Sequence, residues 1–119
     1  MQANNSRGRA YDLQEIFDLL NAKYFHGLLG RPLLGWKRSR TRTIMGHYDP
    51  AHDAILVSPT FDVASTPRFV IEYIVYYLML RRLYPMQNVG GRRREPVEFA
   101  AADKAFEARQ AAKKFLRTM

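Results

Sequence analysis

A chain of 119 residues of which 47% are hydrophobic is long enough for one domain with a single core, and this apolar fraction excludes wholesale disorder. The absence of cysteine excludes a disulfide framework and a thiolate metal site, and it is typical of a reducing, cytoplasmic location. The formal net charge of +8 favours an acidic partner such as nucleic acid.

The chain begins with a polar, basic stretch, and residues 1–10 are predicted to form a flexible arm without the apolar segment of a secretory signal. Residues 11–117 are then predicted to form a single domain. Apolar residues recur at three- and four-residue spacing over residues 11–25, which predicts an amphipathic helix. Gly27, Gly30 and Pro32 are expected to end this helix.

Three short strands are predicted next, over residues 33–38, 43–48 and 54–58. The last two flank the turn-forming stretch 49–53, which is typical of a hairpin loop. We therefore expect a small antiparallel sheet of about three strands.

The apolar run over residues 67–85 predicts a central buried helix, with Ser65 or Thr66 as its cap. Its most apolar part, residues 69–80, is shorter than the roughly 20 residues that span a bilayer and contains Glu72, so no membrane span is expected. Residues 86–94 are predicted to be a loop, and the alanine-rich residues 96–117 a second long helix. The predicted fold class is α+β.

Five segments follow one another along the chain: LQEIFDLLNAKYFHG, RPLLGWKRSRTRTIMGHYDP, AILVSP, VIEYIVYYLML and YP. In order and spacing they resemble the SprT-like zinc metallopeptidase family, over about residues 11–116. The resemblance implies a minimal zincin-like domain with a leading helix, a small antiparallel sheet, a central metal-binding helix and a C-terminal helix.

The family's metal helix carries H-E-x-x-H, whose two imidazoles one turn apart bind zinc while the glutamate takes a proton from the metal-bound water. Tyr77, Leu78 and Arg81 stand at these three positions, and Glu95 stands at the position of the third ligand. The resemblance therefore implies a vestigial site in a pseudo-peptidase, with no catalytic residues, no metal and no cofactor.

Arg81 is predicted to pair with Glu95 and to neighbour the Tyr77 hydroxyl, so that a guanidinium replaces the ion as a clamp between helices. The alternative is that Arg81 and Arg82 belong to a solvated helix end. The histidines at positions 26, 47 and 52 are interpreted as ordinary surface or hydrogen-bonded residues.

Basic residues cluster in two stretches that are predicted to bind nucleic acid without sequence specificity: Lys37, Arg38, Arg40 and Arg42, then Arg92, Arg93 and Arg94. Trp36 and Tyr48 offer aromatic surface on which bases stack. Because the family theme is proteolysis associated with DNA, the predicted function is an inactive domain that binds nucleic acid or a DNA-associated protein.

Two other functions are compatible with the sequence. One is an active or atypical SprT-like metallopeptidase, and the other is a structural or assembly protein without nucleic-acid binding. The resemblance also implies that the strand over residues 54–58 lies beside the central helix, where it binds an extended peptide along its edge.

Overall fold

A computed structural model describes residues 6–38 and 45–118 of the chain. The predicted α+β class is confirmed. The elements in chain order are α1 (Leu13–Phe25), β1 (Leu33–Trp36), β2 (Gly46–Asp49), β3 (Ala54–Val57), a 3₁₀ turn (Pro59–Phe61), α2 (Arg68–Leu83), β4 (Gln87–Val89), β5 (Arg92–Arg94), α3 (Val97–Lys104) and α4 (Arg109–Arg117). No helix within the described residues is long and apolar enough to cross a membrane.

Helix α2 forms the centre of the domain, as its apolar run predicts. Nine of its side chains are buried, and it packs against α1, α3 and α4 on one side and against β2 and β3 on the other. A helix that is apolar on nearly all sides is stable only when neighbours cover it all round. Pro67 stands at the N-cap without a side-chain hydrogen bond, so the predicted cap by Ser65 or Thr66 is wrong.

The three-stranded sheet has the order β1-β3-β2. Strands β2 and β3 form the predicted antiparallel hairpin, but β1 runs parallel to β3, so the prediction of an all-antiparallel sheet is wrong. Because β3 lies between its two neighbours, both of its edges carry ladder hydrogen bonds. It is therefore not an open edge for a peptide, contrary to the prediction for residues 54–58.

Residues 87–94, predicted as loop, form a second antiparallel hairpin. Gly90 and Gly91 connect its strands with φ angles of 59° and 78°. Two left-handed residues in succession make the tight turn whose twist matches that of paired strands, and glycine adopts this conformation without a steric penalty. All six strand residues are exposed, so no apolar alternation marked the strands in the sequence.

The predicted long C-terminal helix is instead two helices, because the chain turns between Lys104 and Arg109. At this turn the Phe106 ring packs among three tyrosines, with centroid distances of 5.7, 5.4 and 5.1 Å to Tyr24, Tyr73 and Tyr76. Burial of an aromatic ring stabilises the turn more than the alanines favour a continuous helix.

The turn also has a buried polar contact. The Tyr73 hydroxyl donates to Asp103 at 2.8 Å, and Arg109 Nε donates to the same carboxylate at 3.0 Å. Burial, reinforced by the neighbouring Asp103 carboxylate, raises the pKa of the Tyr73 hydroxyl, which stays protonated as the donor. The network ties α2 to both C-terminal helices.

Residues 6–10 pack on the rest of the domain. The prediction of a flexible arm over residues 1–10 is therefore not met for residues 6–10, and residues 1–5 lie outside the described part of the chain. The Asp62 carboxylate accepts hydrogen bonds from the backbone N–H groups of Arg9, Ala10 and Tyr11 at 2.7, 2.8 and 3.2 Å. The buried Trp36 indole donates to the Ser6 carbonyl at 3.0 Å. These contacts join the N-terminal segment to the sheet and to the residues before α2.

Candidate functional site

A cleft of about 590 Å³ opens between β2 and the C-terminal half of α2. Its walls are formed by Gly46, His47, Tyr48, Pro50, Tyr77, Leu78, Arg81, Pro85, Met86 and Arg93. Three of the four residues predicted as vestigial site positions line this cleft. Among the described residues, the lining includes two guanidiniums, one imidazole and two tyrosine hydroxyls and no carboxylate.

Arg81 lies at the centre of the predicted constellation. The helical repeat places Tyr77 and Arg81 one turn apart on the same face of α2, and Arg81 Nη2 donates to the Tyr77 hydroxyl at 2.8 Å. Arg81 Nη1 lies 3.0 Å from Glu95 Oε2. The predicted contact between Arg81 and Glu95 is therefore present, and it joins α2 to the residue that follows β5.

Aromatic rings also hold the guanidinium. The Arg81 Cζ atom lies 4.0 Å from the centroid of the Phe99 ring and 5.1 Å from that of Tyr77. The Arg81 side chain is 26% exposed and that of Glu95 is 38% exposed. Because water reaches both partners, we expect the ion pair to stabilise the fold by about 1 kcal/mol. This is well below the free energy that is lost when a fully buried pair is broken. The cation–π contacts add a similar amount, about 0.5–1 kcal/mol.

The donor set at this place does not fit zinc. Tyr77 and Glu95 offer oxygens, but the Arg81 guanidinium between them has no lone pair and stays protonated at any relevant pH. Leu78, which the resemblance aligns with a general base, is buried and has no proton-accepting atom. Within residues 6–38 and 45–118, no three His, Asp or Glu side chains converge as metal ligands would.

Arg82 is part of a second cluster that sequence reasoning missed. Its Nε and Nη2 atoms donate to the two Asp53 carboxylate oxygens at 2.8 and 3.0 Å, and its Nη1 donates to the Gly30 carbonyl at 2.6 Å. The Tyr48 hydroxyl donates to the same Asp53 at 2.7 Å. The alternative of a solvated helix end is therefore wrong for Arg82, which anchors α2 to the β2–β3 hairpin.

The basic residues predicted to bind nucleic acid fall at separate places. Arg92, Arg93 and Arg94 form β5 and are exposed. Lys37 and Arg38 follow β1, on the edge of the sheet away from β2, and do not line the cleft. Arg40 and Arg42 lie outside the described residues.

The aromatic residues predicted to stack on bases differ in exposure. Trp36 is only 9% exposed and its indole N–H is bonded to Ser6, so the prediction that it stacks on nucleic acid is wrong. Tyr48 is half-buried on the wall of the cleft. Tyr73 and Tyr76 belong to the core.

Within the described residues, the three histidines do not converge on one metal-binding site. His26 ends α1 in the left-handed conformation with a φ angle of 55°, and His47 is exposed on the cleft wall. His52 Nδ1 lies 2.7 Å from Asp49 Oδ2, and this contact lowers the pKa of the Asp49 carboxyl. The interpretation of His52 as a hydrogen-bonded surface residue is confirmed.

In comparisons with known proteins, no protein family, curated protein or solved structure matches this chain.

Proposed function

We propose that this chain is a SprT-like domain of zincin-like fold that has lost zinc-dependent hydrolysis and acts as a binding module for nucleic acid. The observation that carries the proposal is the arginine strand β5, which is exposed beside the cleft. The function is binding rather than cleavage, and the ligand is recognised mainly through its phosphate groups.

The order of the elements supports the family assignment. A leading helix, a small sheet and a central helix follow one another in the implied order, and the implied C-terminal helix corresponds to α3 and α4 together. Arg81 donates to Tyr77 and pairs with Glu95, about 14 residues further along the chain. The contact with Glu95 gives further support, because the resemblance assigns all three residues to ligand positions. A chance resemblance would not require this contact.

The chemistry of the same residues supports the loss of hydrolysis. A fixed positive charge repels a divalent cation by several kcal/mol at a separation of about 4 Å. Arg81 is retained in its place by Glu95, Tyr77 and Phe99, so its displacement by an ion breaks all three contacts. No group at position 78 activates water.

The distribution of ion pairs supports an anionic ligand. Ion pairs within the described residues involve six lysines and arginines, namely Lys23, Arg31, Arg68, Arg81, Arg82 and Arg109. The three arginines of β5 are outside this set, and the adjacent Glu95 is paired with Arg81. The positive charge of β5 is therefore uncompensated and available to phosphate groups.

The proposal is tested by fluorescence anisotropy with labelled oligonucleotides at 50 and 200 mM salt. If the three arginines contact phosphates, we expect the affinity to fall roughly 40-fold over this range, since each contact contributes a salt slope of about 0.9. Polyglutamate of similar length serves as the control for a general polyanion. Absence of binding at the lower salt, or equal affinity for polyglutamate, contradicts the proposal.

A further inference from the structure

The hairpin formed by β4 and β5 stands apart from the three-stranded sheet. Within the part of the chain that the structure describes, its strands pair only with each other, and all of its residues from Gln87 to Arg94 are exposed. An isolated two-stranded hairpin with no buried face is marginally stable in water. Its sequence has one apolar side chain, Val89, so the hairpin is poorly suited to a hydrophobic partner surface.

The two faces of the hairpin differ. Successive residues of a strand point to opposite faces, so Arg92 and Arg94 share one face and Arg93 lies on the other. Arg93 lines the cleft, and the face that carries Arg92 and Arg94 is therefore directed away from it. Gln87 is paired with Arg94 in the ladder and lies on this outer face.

The outer face has the chemistry that recognises double-stranded DNA. Guanidinium and amide groups bond to phosphates and to the base edges of guanine and adenine in the major groove. This groove is about 12 Å wide and admits a two-stranded ribbon. Each strand of the hairpin has three residues with a rise of about 3.4 Å per residue, so its length is close to the groove's depth of about 8.5 Å.

Other forms of nucleic acid fit the hairpin less well. Proteins that bind single strands use aromatic rings as stacking platforms, and the hairpin has no aromatic residue while Trp36 is buried. The major groove of duplex RNA is too deep and narrow for side chains to read. The β4–β5 hairpin therefore suits duplex DNA better than single strands or duplex RNA.

We infer that the β4–β5 hairpin enters the major groove of duplex DNA, with Arg92 and Arg94 facing the bases and phosphates. The inference rests on the proposed function and goes further, because it specifies the form of the nucleic acid, the groove and the residues. Arg93 faces the cleft wall and contributes less than its two neighbours.

The test compares two charge-matched variants by anisotropy with duplex DNA of about 20 base pairs. Arg92→Gln/Arg94→Gln removes two charges from the hairpin, and Lys113→Gln/Lys114→Gln removes two charges from α4. We expect the hairpin variant to lose about tenfold or more in affinity and to reduce the salt slope by about 1.8, while the α4 variant changes little.

A second variant changes the hairpin without changing its charge. Gly90→Val/Gly91→Val forces β-branched residues into left-handed backbone and distorts the turn, and we expect it to weaken duplex binding severalfold. Circular dichroism checks that each variant keeps the helices. A major-groove ligand such as methyl green is expected to displace the protein, and a minor-groove ligand such as netropsin is not.

The outcomes separate the two proposals. If the wild-type chain binds no nucleic acid at 50 mM salt, the proposed function fails and the inference fails with it. If it binds duplex DNA, single strands and duplex RNA equally, or if the hairpin and α4 variants lose the same affinity, the function stands and the inference is overturned. Displacement by netropsin alone also overturns it.

Discussion

Asp53 and Arg82 join the loop between β2 and β3 to the last turn of α2. Asp53 has a φ angle of 48°, a conformation that is uncommon outside glycine and that aspartate and asparagine tolerate best. Partial burial opposes ionisation of this carboxyl, but the hydrogen bonds from Arg82 and Tyr48 outweigh burial and lower its pKa overall. The charged carboxylate is thus the form that the fold stabilises.

Asp53→Asn tests this contact and its dependence on pH. Asparagine keeps the shape and the left-handed backbone but removes the charge, so we expect the free energy of unfolding at pH 7 to fall by about 1 kcal/mol. Because the pKa is lower in the folded state, the stabilisation is complete above the unfolded pKa of about 3.9 and is lost as the pH falls through the folded value.

The measurement is chemical unfolding of wild type and variant between pH 7 and pH 2.5. The stability difference should be constant near neutrality and should decrease below about pH 4. Asp18→Asn is the control, because Asp18 has the same 48% exposure and pairs with an arginine only at the surface. A difference that persists unchanged in acid contradicts the assignment.

At the level of elements, the Arg81 side chain joins α2 to the residue that follows the β4–β5 hairpin and to α3. Arg81 contacts Glu95 and stacks on Phe99 in the first turn of α3. The predicted pair is present because the β4–β5 hairpin returns the chain to α2 after a two-glycine turn.

A double-mutant cycle measures this connection. With Arg81→Met and Glu95→Gln, we expect a coupling free energy of about 0.5–1 kcal/mol from urea unfolding at low salt, because the pair is only partly shielded from water. The single variant Arg81→Met should destabilise by more than the coupling, because the contacts with Tyr77 and Phe99 are also lost.

The exposed pair between Lys23 and Glu107 provides the control cycle. Its coupling should be smaller and should disappear at high salt, since both partners face solvent. A coupling at positions 81 and 95 that is no larger than in the control shows that Arg81 is not a clamp.

At the level of the whole molecule, the proposed ancestry predicts that a metal site can be restored. Tyr77→His/Arg81→His places two imidazoles at i, i+4 spacing, and with Glu95 this gives the two-histidine, one-glutamate set of some catalytic zinc sites. We expect the double variant to bind zinc in a one-to-one ratio, measured by elemental analysis after gel filtration and by calorimetry.

The matched control is the same double variant with Glu95→Gln added, which should bind zinc at least tenfold more weakly because a carboxylate ligand is lost. The wild-type chain is measured in parallel. If the double variant and its control bind zinc equally, or neither binds it, positions 77, 81 and 95 are not the remains of a metal site and the family assignment fails.

Local sequence pattern was sufficient to predict the elements whose signal lies within one stretch of chain. The long apolar run predicted α2, the three- and four-residue spacing predicted α1, and the turn residues predicted the β2–β3 hairpin. The glycine pair at 90–91 is a hairpin signal, but the flanking residues lack the apolar alternation that marks a strand.

Apolar periodicity and composition are properties of neighbouring residues, so the α+β class, the central helix and the strong positive charge follow from the amino-acid sequence alone. The folded structure was needed to establish that β1 runs parallel to β3, that Phe106 divides the last helix, and that Arg82 binds Asp53. These features depend on contacts between residues far apart in the chain, where burial and hydrogen bonding outweigh local propensity.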